Sequence, residues 1–455
     1  MFENQSLDQQ QIEKDTNANN LLADVQDFRT VLPALDTSNS MPAGCRRSQV
    51  EQLDLKSPFP AEKNAEKIKL SETESLPPID GKVTDITGRG ITDRFGVTAT
   101  DLGVSIIGPD GKLVSVFGDT FSGDRVGEGD WRSPVALKGS GDADHKIQFD
   151  AAVGADSQYA KQIFDYKHED PRKGGEISTI IPDDLLRVGD KMYMHGIVNQ
   201  GFGNVIRTGI WESADNGKSW ELKTEFPGGM DKGYSQCWSW DYNPDDGYVY
   251  IASTGFQRDK GIVLHRVRPE DITNPAKYSG WGFANGKWSW DQEPTCVTPP
   301  GETWGELSLR RLGSGQWLLG GFLASEYALG YRTIGSPTAD LYKTPLQLPV
   351  VGSRWENEDH AHNRVAQLYG GFILPGSKLD EAGGVGLVVS QWNTSKGQPY
   401  KAMQFTVTLQ NTIGKATPEP EPKNPTVHED RPVYNNDEYV RFRRQMEQEA
   451  LKARK

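Results

Sequence analysis

A turn followed by a strand of apolar and aromatic residues recurs five times along the central part of the chain. The copies begin 56 to 79 residues apart, and they share this pattern more than they share identical residues. A spacing of this order suits a four-stranded blade with its loops, so the pattern predicts an all-β, five-bladed β-propeller. The copies are Pro109–Asp119, Val188–Val198, Pro244–Thr254, Gly313–Leu323 and Ala382–Trp392.

The two ends of the chain differ in composition from this central part. All twelve tryptophans lie between Trp131 and Trp392, and the first 43 residues contain no glycine. We therefore expect a propeller over residues 77–415, a partly helical N-terminal arm over 1–76, and a Pro/Glu linker with a charged C-terminal helix over 416–455. A short amphipathic helix in the arm would have to dock on the propeller or on another chain.

One octapeptide independently supports a β-propeller. Residues 213–220 read SADNGKSW, which matches the Asp-box S-x-D-x-G-x-[ST]-W of propeller sialidases. In that motif Asp215 and Gly217 shape a tight turn, and Trp220 packs beneath it. The match predicts a β-hairpin at the rim of a blade and gives Asp215 a structural role.

Charge and cysteine content disfavour several kinds of partner. The formal net charge is −13, so nucleic acid and anionic membrane surfaces are poor partners and a neutral ligand fits better. No run of eighteen apolar residues and no secretory signal is visible. Cys45, Cys237 and Cys296 fit neither a disulfide framework nor a zinc pattern, so we expect buried free thiols.

Acidic residues near the starts of the strands that precede the repeated turns are the candidates for chemistry. The innermost strands of a propeller converge on one axis, so polar residues at equivalent strand ends meet in one pocket. Asp101 in TDLGVSIIG, Glu176 in GEISTII and Glu306 in GELSLRRL occupy such places, and Asp241 is a weaker fourth. One carboxylate at a strand start is usually a solvated turn residue, whereas three at equivalent places indicate a site.

Asp101 and Asp119 are the strongest candidates for a pair of catalytic carboxyl groups. The sequence GPDG at 108–111 is a strong hairpin-turn signal. A turn centred near Asp110 would place Asp101 opposite Asp119, with Cβ atoms ~5 Å apart. Two carboxylates at that separation do not both ionise easily, so one should hold a proton near neutral pH. A register slip of one residue would put them on opposite faces of the sheet.

A protonated acid beside a carboxylate is the arrangement that glycoside hydrolysis requires. One group protonates the leaving oxygen, and the other attacks the sugar or activates water. Glu176 or Glu306 could instead supply the second group from across the axis. The structural alternative for Asp119 is a local cap of the FGDTF turn.

Other aromatic and polar residues are candidates for holding a sugar. They are Trp131, Arg132, Trp304, Asn363 and Arg364. For any one of them, a core tryptophan, a surface arginine or a solvated amide is the commoner role.

Two histidines could in principle bind a metal ion. His360 and His362 form an H-x-H pair, which can hold zinc on one strand face when a third ligand is present. Because no third ligand is in view, we favour a hydrogen-bonded histidine pair. We expect no cofactor and no metal, with a central Ca²⁺ ion as the alternative.

Eight segments, in order, resemble the actinobacterial endo-D-arabinanases of glycoside hydrolase family 183, formerly a domain of unknown function. The segments are TDLGVSI, VFGDTFSG, GDWRSPVAL, GEISTIIP, SADNGKSW, WGELSLRRL, LYGGFILPGS and LVVSQWN. The similarity runs from about Thr84 to about Thr412 and covers neither the arm nor the tail.

This resemblance implies a five-bladed propeller that cleaves internal α-linked D-arabinofuranose bonds. Such bonds occur in the arabinogalactan and lipoarabinomannan of mycobacterial and corynebacterial envelopes. The resemblance also implies that Asp101 of the DLG motif and Asp119 of the FGDTF motif are the catalytic acids. Our first assignment makes Asp101 the nucleophile or base and Asp119 the acid.

An enzyme that acts on an outer envelope must reach it from outside. Because no export signal is visible, we expect a phage-tail protein in the virion, anchored to other tail proteins by the arm or the tail; a cytoplasmic or non-classically exported protein is the alternative. Two further functions stay open: a non-catalytic propeller that binds envelope sugar as a receptor, and a structural virion scaffold. The presence of both Asp101 and Asp119 favours the enzyme.

Overall fold

The computed structural model describes residues 80–201, 203–379 and 384–413 of the chain. These residues form five sheets of four or five strands and one two-stranded hairpin, and the first strand of each larger sheet packs against the first strands of its two neighbours around a common axis. The predicted all-β, five-bladed propeller is therefore confirmed. The expected N-terminal arm over 1–76 and C-terminal helix over 416–455 lie outside the described residues.

Blade by blade, the strands run from the axis outward. Blade one contains β2 (Ala99–Ile107), β3 (Leu113–Phe121), β5 (Val135–Ser140) and β6 (Gln148–Ala152), with β4 (Trp131–Arg132) beside the end of β3. Blade two contains β7 (Thr179–Val188), β8 (Lys191–Asn199), β9 (Val205–Ser213) and β10 (Glu221–Pro227). Blade three contains β11 (Cys237–Asn243), β12 (Tyr248–Thr254), β13 (Val263–Val267) and β14 (Ser279–Gly280), followed along the chain by the hairpin β15 (Gly282–Ala284) and β16 (Lys287–Ser289).

Blade four contains β17 (Trp304–Arg311), β18 (Trp317–Leu323), β19 (Ala328–Ile334), β20 (Gln347–Ser353) and the parallel β21 (Arg364–Ala366). Blade five contains β22 (Leu368–Ile373), β23 (Val385–Trp392), β24 (Tyr400–Val407) and β1 (Gly81–Asp85). The helices in the described ranges are short 3-10 turns, and none of them could span a membrane. They are Asp93–Phe95, Pro171–Lys173, Met230–Gly233, Pro269–Asp271, Pro275–Lys277, Trp355–Asn357 and His360–His362.

The five predicted repeats coincide with the five blades. Each repeat is the turn after the innermost strand together with the second strand of its blade, and this holds for β3, β8, β12, β18 and β23. The periodic pattern therefore arose from the second strand of each blade, in which nearly every residue is buried because both faces are covered by neighbouring blades.

Blade five is built from both ends of the propeller sequence. Its outermost strand, β1, pairs antiparallel with β24, so that Gly81 lies opposite Thr406 and Asp85 opposite Met403. The Ile86 N–H donates to the Ala402 carbonyl at 3.0 Å, which extends this pairing beyond the strand. The closure covers an edge of β24 that would otherwise expose unpaired backbone groups.

Large aromatic side chains fill the space between neighbouring blades. Trp238 and Trp240 of blade three pack with Phe226 of blade two in one cluster. Trp304 and Trp317 of blade four pack with strands of blade three in another. All five side chains are almost completely buried. Each such residue removes a large apolar area from water, so the inter-blade contacts carry much of the hydrophobic stabilisation.

Asp184 of β7 joins three blades beside the axis. Its Oδ2 accepts hydrogen bonds from the Ser239 hydroxyl at 2.5 Å and the Trp240 N–H at 3.0 Å in blade three. Both carboxylate oxygens also bind Arg310 of blade four, at 2.8 and 2.6 Å. A buried carboxylate with this many charge-assisted partners fixes the relative positions of blades two, three and four.

The Asp-box forms the predicted hairpin turn between β9 and β10. Asp215 Oδ1 accepts from the Ser219 N–H at 2.9 Å and the Ser213 hydroxyl at 2.8 Å. The Trp220 Nε1–H donates to the Gly217 carbonyl at 2.9 Å. Asp215 is therefore a structural residue on the outer strands of blade two, as its motif indicated.

Replacing Asp184 with Ala is expected to lower the free energy of unfolding by about 3–5 kcal/mol, because it leaves the largely buried Arg310 guanidinium without its counter-charge. Urea unfolding followed by tryptophan fluorescence measures the loss. The double variant Asp184→Leu/Arg310→Met removes both charges and should regain most of it. A single variant as stable as the wild type would show that the pair does not hold the blades together.

Candidate active site

The two candidate aspartates lie on the first hairpin of blade one, at an irregularity in its pairing. The predicted register is observed on both sides of this point, with Thr100 opposite Thr120 and Val104 opposite Val116. Between them the ladder shifts, because Leu102 adopts a left-handed conformation with φ 61° and pairs with Phe117. The expected regular pairing of Asp101 with Asp119 is thus replaced by a bulge, the kind of irregularity that re-aims side chains next to binding sites.

The bulge brings Asp101 against the neighbouring strand. A Cβ atom on Gly118 would lie 2.4 Å from Asp101 Oδ1, so only glycine leaves room for the carboxylate at that position. The Asp101 side chain reaches blade five, where the Tyr369 hydroxyl donates to its Oδ2 at 2.9 Å. Its Oδ1 is buried and has no hydrogen-bond partner.

This environment favours the protonated form of Asp101. Burial, followed by the negative charges of Asp119 and Glu306, raises the pKa of Asp101 to about 8, against the opposing effect of hydrogen bonds from Tyr400 and Tyr369. The two aspartates are therefore close enough to influence each other's ionisation, as the sequence predicted. A carboxylic acid with this pKa keeps its proton at neutral pH.

The carboxylate form of Asp119 is stabilised by two hydrogen bonds to one of its oxygens. Its Oδ1 accepts hydrogen bonds from the Trp131 Nε1–H at 2.8 Å and the Thr179 hydroxyl at 3.0 Å. Burial raises the pKa of Asp119, and the hydrogen bonds from Trp131, Thr179 and Ser133 counteract that rise. Two neutral donors on one oxygen stabilise the carboxylate form. The alternative of a local turn cap for Asp119 is not what the structure contains, because both donors come from other strands.

Glu306 of β17 approaches the same place from blade four. Its Oε1 pairs with the Arg258 Nη2 at 2.6 Å, and its charge contributes to the raised pKa of Asp101. Asp101, Thr179, Glu306 and Tyr369 all lie at or near the starts of innermost strands. Polar residues at this end of the strands therefore meet beside the axis, and of the four acidic residues predicted there Asp101 and Glu306 take part.

Trp131 forms one side of the site together with His168. The two rings stack at a centroid distance of 3.6 Å, with an interplanar angle of 19°. Burial lowers the pKa of His168 to about 4, so its ring is neutral. Its Nδ1 lies 2.8 Å from the Ser178 carbonyl and therefore carries the proton, which leaves Nε2 as a buried acceptor with no partner. Trp131 thus orients Asp119 as well as offering an aromatic surface.

Two other predicted sugar-binding residues have structural roles instead. Trp304 is only 1% exposed and belongs to the core between blades three and four, so it cannot be an aromatic platform. Arg132 is 5% exposed, and its guanidinium donates to the backbone carbonyls of Ala160 and Gly96. These bonds hold the loops behind blade one, so Arg132 is not available to a ligand.

Glu176 and Asp241 also lie away from the two aspartates. Glu176 precedes β7 in an exposed loop and pairs with Arg207, and Thr179 is the residue of this strand that reaches Asp119. Asp241 lies towards the opposite end of its strand, where it accepts from the Arg311 N–H at 2.7 Å and borders a cavity of about 430 Å³. Burial raises the pKa of Asp241 to about 6. It belongs to the other face of the ring.

The segment that contains Asn363 and Arg364 lies at the outer edge of blade four. Arg364 begins β21, the outermost strand, which pairs with β20, and Asn363 is a left-handed residue just before it. Neither is at an axial strand end, so the prediction that they bind the sugar is not supported by their position.

The two histidines of the same segment have separate carboxylate partners. His360 Nε2 lies 3.3 Å from Glu358, and His362 Nδ1 lies 2.6 Å from Asp359. Across residues 80–413, apart from the gaps, no group of three or more His, Cys, Asp or Glu side chains is placed to hold a metal ion. Cys237 is a buried free thiol, as predicted; Cys296 is also buried, and Cys45 lies outside the described residues.

Sequence reasoning missed the partners that hold the acids. The sequence prediction did not include Tyr369, Arg258, Thr179 or His168, because it compared only the acidic residues at the strand starts. Tyr369 stands in the LYGG segment at the start of the fifth innermost strand, the position that Asp101 and Glu306 occupy in theirs. Comparing all five strand starts, whatever their residue type, would have found it.

Comparison with known proteins places this propeller in a family. The family described as domain of unknown function DUF4185 matches residues 87–406. The chain belongs to the DUF4185 family. This match covers blades one to four and the three strands of blade five that follow them, so the family similarity is that of the propeller itself.

Relatives of this DUF4185 protein occur in bacteria and fungi. An uncharacterized 35.9 kDa protein of Mycolicibacterium smegmatis is 30% identical over 335 residues, which is 70% of this chain and 94% of that protein. A notoamide biosynthesis cluster protein of Aspergillus versicolor is 31% identical over 337 residues, 70% of this chain and 88% of that protein. Among solved structures, a Bacteroides ovatus protein described as a candidate hydrolase superimposes with a TM-score of 0.51 at 13% identity, covering 72% of this chain and 90% of that one. This last similarity is one of fold.

The raised pKa of Asp101 predicts a specific dependence of stability on pH. Between about pH 4 and pH 8 the folded protein retains a proton on Asp101 that the unfolded chain releases, so this group makes the folded state less stable as the pH rises. The variant Asp101→Asn cannot titrate and should lose less stability than the wild type between pH 5 and pH 8. Urea unfolding at both pH values measures the difference.

The exposed variant Glu176→Gln is the control for this measurement and should follow the wild-type slope. Equal slopes for the wild type and Asp101→Asn would contradict a strongly shifted Asp101.

Proposed function

We propose that this propeller is a glycoside hydrolase that cleaves internal bonds of D-arabinan, the D-arabinofuranose polymer of mycobacterial and corynebacterial envelopes. The observation that carries the proposal is the pair of interacting carboxyl groups at the axis, in which Asp101 is held in its acid form and Asp119 is supported as a carboxylate. An acid and a carboxylate that flank one bond are the two groups that hydrolysis of a glycoside needs.

Asp101 acts as the general acid in this proposal. Its proton is transferred to the glycosidic oxygen as the bond from that oxygen to the anomeric carbon breaks, so the leaving sugar departs as a neutral alcohol. The Tyr369 hydroxyl, which donates to Oδ2 at 2.9 Å, holds the Asp101 carboxyl in place for this transfer. The charge then left on Asp101 is stabilised by the Tyr369 hydrogen bond.

Asp119 acts on the anomeric carbon. The Trp131 and Thr179 donors both bind Oδ1, which orients Oδ2 for direct attack or for taking a proton from an attacking water. These roles reverse the first assignment made from the sequence, in which Asp119 was the acid. The reversal rests on the contrast between the pKa of Asp101, which is raised to about 8, and the two hydrogen bonds that stabilise the carboxylate form of Asp119. The configuration of the first product distinguishes attack by Asp119 from activation of water.

The choice of substrate rests on sequence similarity together with charge. The segments TDLGVSI and VFGDTFSG, which resemble endo-D-arabinanases, carry the two aspartates. A neutral polymer of furanose units also suits a chain with a net charge of −13 better than a phosphate polymer does.

Loss of either aspartate should abolish cleavage. With purified arabinogalactan as substrate, the wild type should release oligosaccharides, and Asp101→Asn and Asp119→Asn should each be slower by at least about 10²-fold, since each removes one half of the acid–base pair. Chromatography of the released oligosaccharides measures the rate, and Asp241→Asn, on the opposite face of the ring, serves as the control. Binding of the polymer without release of products would favour the sugar-receptor function instead.

The assignment of roles has its own test. An aryl arabinofuranoside with an acidic phenol as leaving group needs little protonation, so Asp101→Asn should keep most of the wild-type rate on it while Asp119→Asn stays inactive. Release of the phenol is followed by absorbance. If Asp119→Asn is instead the variant that retains activity, the roles are those of the first assignment.

We also propose, from the sequence alone, that the protein is located in a phage virion. Its expected partners, tail proteins bound through 1–76 or 416–455, would be found by co-purification of the full-length chain with virions.

A further inference from the structure

A cavity of about 540 Å³ lies where blade five meets blade one, and we call it the seam groove. The loops that precede β2 and follow β3 form one of its walls, and the start of β24 with the loop before it forms the other. The volume is in the range of sites that hold small ligands. The main lining residues are Arg89, Ile91 and Asp124 in the first wall and Gln398, Tyr400 and Lys401 in the second.

The Tyr400 side chain connects the seam groove with Asp101. It lines the groove, and its hydroxyl hydrogen-bonds to the Asp101 carboxyl. The Tyr400 ring packs against the rings of Phe121 and Trp392, at centroid distances of 6.4 and 5.4 Å, which hold it between the two blades. The groove therefore begins one side chain away from the proposed general acid.

The charges that border the seam groove balance one another. Arg89 pairs with Asp124 at 2.6 Å, and Lys401 pairs with Asp85 at 3.1 Å. The cavity beside Asp241 on the other face is instead bordered by four basic side chains and one acidic side chain. A groove whose charges cancel suits a neutral polyol such as a sugar and has no particular attraction for an anion.

The outer part of the seam groove can be reached from solvent. The Arg89 side chain is 70% exposed and Ile91 is 41% exposed, and Gln398 is exposed as well. Arg89 and Gln398 carry N–H donors for the hydroxyl oxygens of a sugar, and the Gln398 carbonyl also accepts. Ile91 offers an apolar surface beside them.

Asp101 and Asp119 face different neighbours on this side of the ring. Asp101 is bound by Tyr369 and Tyr400 of blade five. Asp119 accepts from the Thr179 hydroxyl of blade two. In glycoside hydrolysis the acid protonates the oxygen of the part that leaves, and the second group acts on the anomeric carbon of the other part. In the proposed reaction the leaving part is therefore expected on the side of blade five, where the groove lies.

We propose that the seam groove binds the leaving part of the arabinan chain, on the reducing-end side of the cleaved bond, and that Arg89 and Gln398 donate hydrogen bonds to its sugar hydroxyls. The inference rests on the proposed function and extends it, because it sets the direction in which the polymer crosses the propeller. The non-reducing part of the chain then extends from the two aspartates towards blade two.

The test compares two substrates that differ in the leaving part. An aryl glycoside of a D-arabinofuranose trisaccharide has all its sugars on the non-reducing side and releases only a phenol, whereas a D-arabinofuranose hexasaccharide releases sugars. We expect Arg89→Ala and Gln398→Ala each to lower kcat/KM on the hexasaccharide about tenfold, because each variant loses a hydrogen bond to the leaving part. On the aryl glycoside both variants should stay within about twofold of the wild type, because a phenol does not reach these side chains.

A label at the reducing end of the hexasaccharide gives a second measurement. The wild type should release a labelled fragment of two or more sugars, and the variants should shift the products towards shorter labelled fragments. Arg354→Ala is the matched control, because Arg354 is also ion-paired and 69% exposed but follows β20 in blade four. It should leave the rates and the products unchanged.

The outcomes separate this inference from the proposed function. If Arg89→Ala and Gln398→Ala slow the aryl glycoside as much as the hexasaccharide, or slow neither, the function stands and the role of the seam groove is overturned. If the wild type cleaves neither substrate, the proposed function fails, and calorimetric titration with the hexasaccharide decides about the groove. Binding that is weakened in Arg89→Ala but not in Arg354→Ala supports a sugar site in the groove, whereas equal binding or no binding rejects it.

Discussion

Closure of the ring through the pairing of β1 with β24 is the constraint on which the candidate site depends. The Asp101 carboxyl belongs to blade one, but its hydrogen bond comes from Tyr369 of blade five. The backbone at Leu102 is also bound across this seam, since its N–H donates to the Ser390 hydroxyl at 2.9 Å. The bulge that aims Asp101 is therefore supported by blade five, whose outermost strand comes from the opposite end of the propeller sequence.

Several carboxyl groups lie close together near the axis, and neighbouring arginines or protonation reduce the repulsion between them. Glu306 is balanced by Arg258, and Asp184 by Arg310. Asp183, which is buried among the inner strands beside His195, has a pKa that burial raises well above its usual value, so burial favours its neutral form. Asp101 and Asp119 have neutral hydrogen-bond donors in place of a cation. Protonation of Asp101 relieves its repulsion with the negative charges of Asp119 and Glu306, and the same proton is used in the proposed reaction.

The two ends of the innermost strands have different chemistry. At the strand starts, carboxyl groups and aromatic rings meet, whereas at the turn ends the cavity beside Asp241 is bordered by Arg187, Arg310 and Arg311. The Asp184–Arg310 pair lies between these levels and ties blades two, three and four together. Along the axis, the Asp184–Arg310 pair thus stabilises the fold, whereas the carboxyl groups at the strand starts serve the proposed chemistry. The innermost strands hold these two sets of polar residues at different heights.

The sequence by itself determined the blade count, because a two-sided buried strand leaves an apolar signature each time it recurs and an Asp-box marks a hairpin. It also placed Asp101 and Asp119 on one hairpin, since a GPDG turn defines a register that most of the observed pairs follow. It could not reveal the shift at Leu102, because the left-handed conformation there arises from contacts with another blade and not from a residue that favours it. Nor could it tell that Trp304 and Arg132 are buried or that Asp241 points to the other face. The contact of Tyr369 with Asp101 spans 268 residues, and that of Arg258 with Glu306 joins two blades. Only the tertiary structure decided these, because burial and the pairing of charges depend on which strand ends the closed ring brings together.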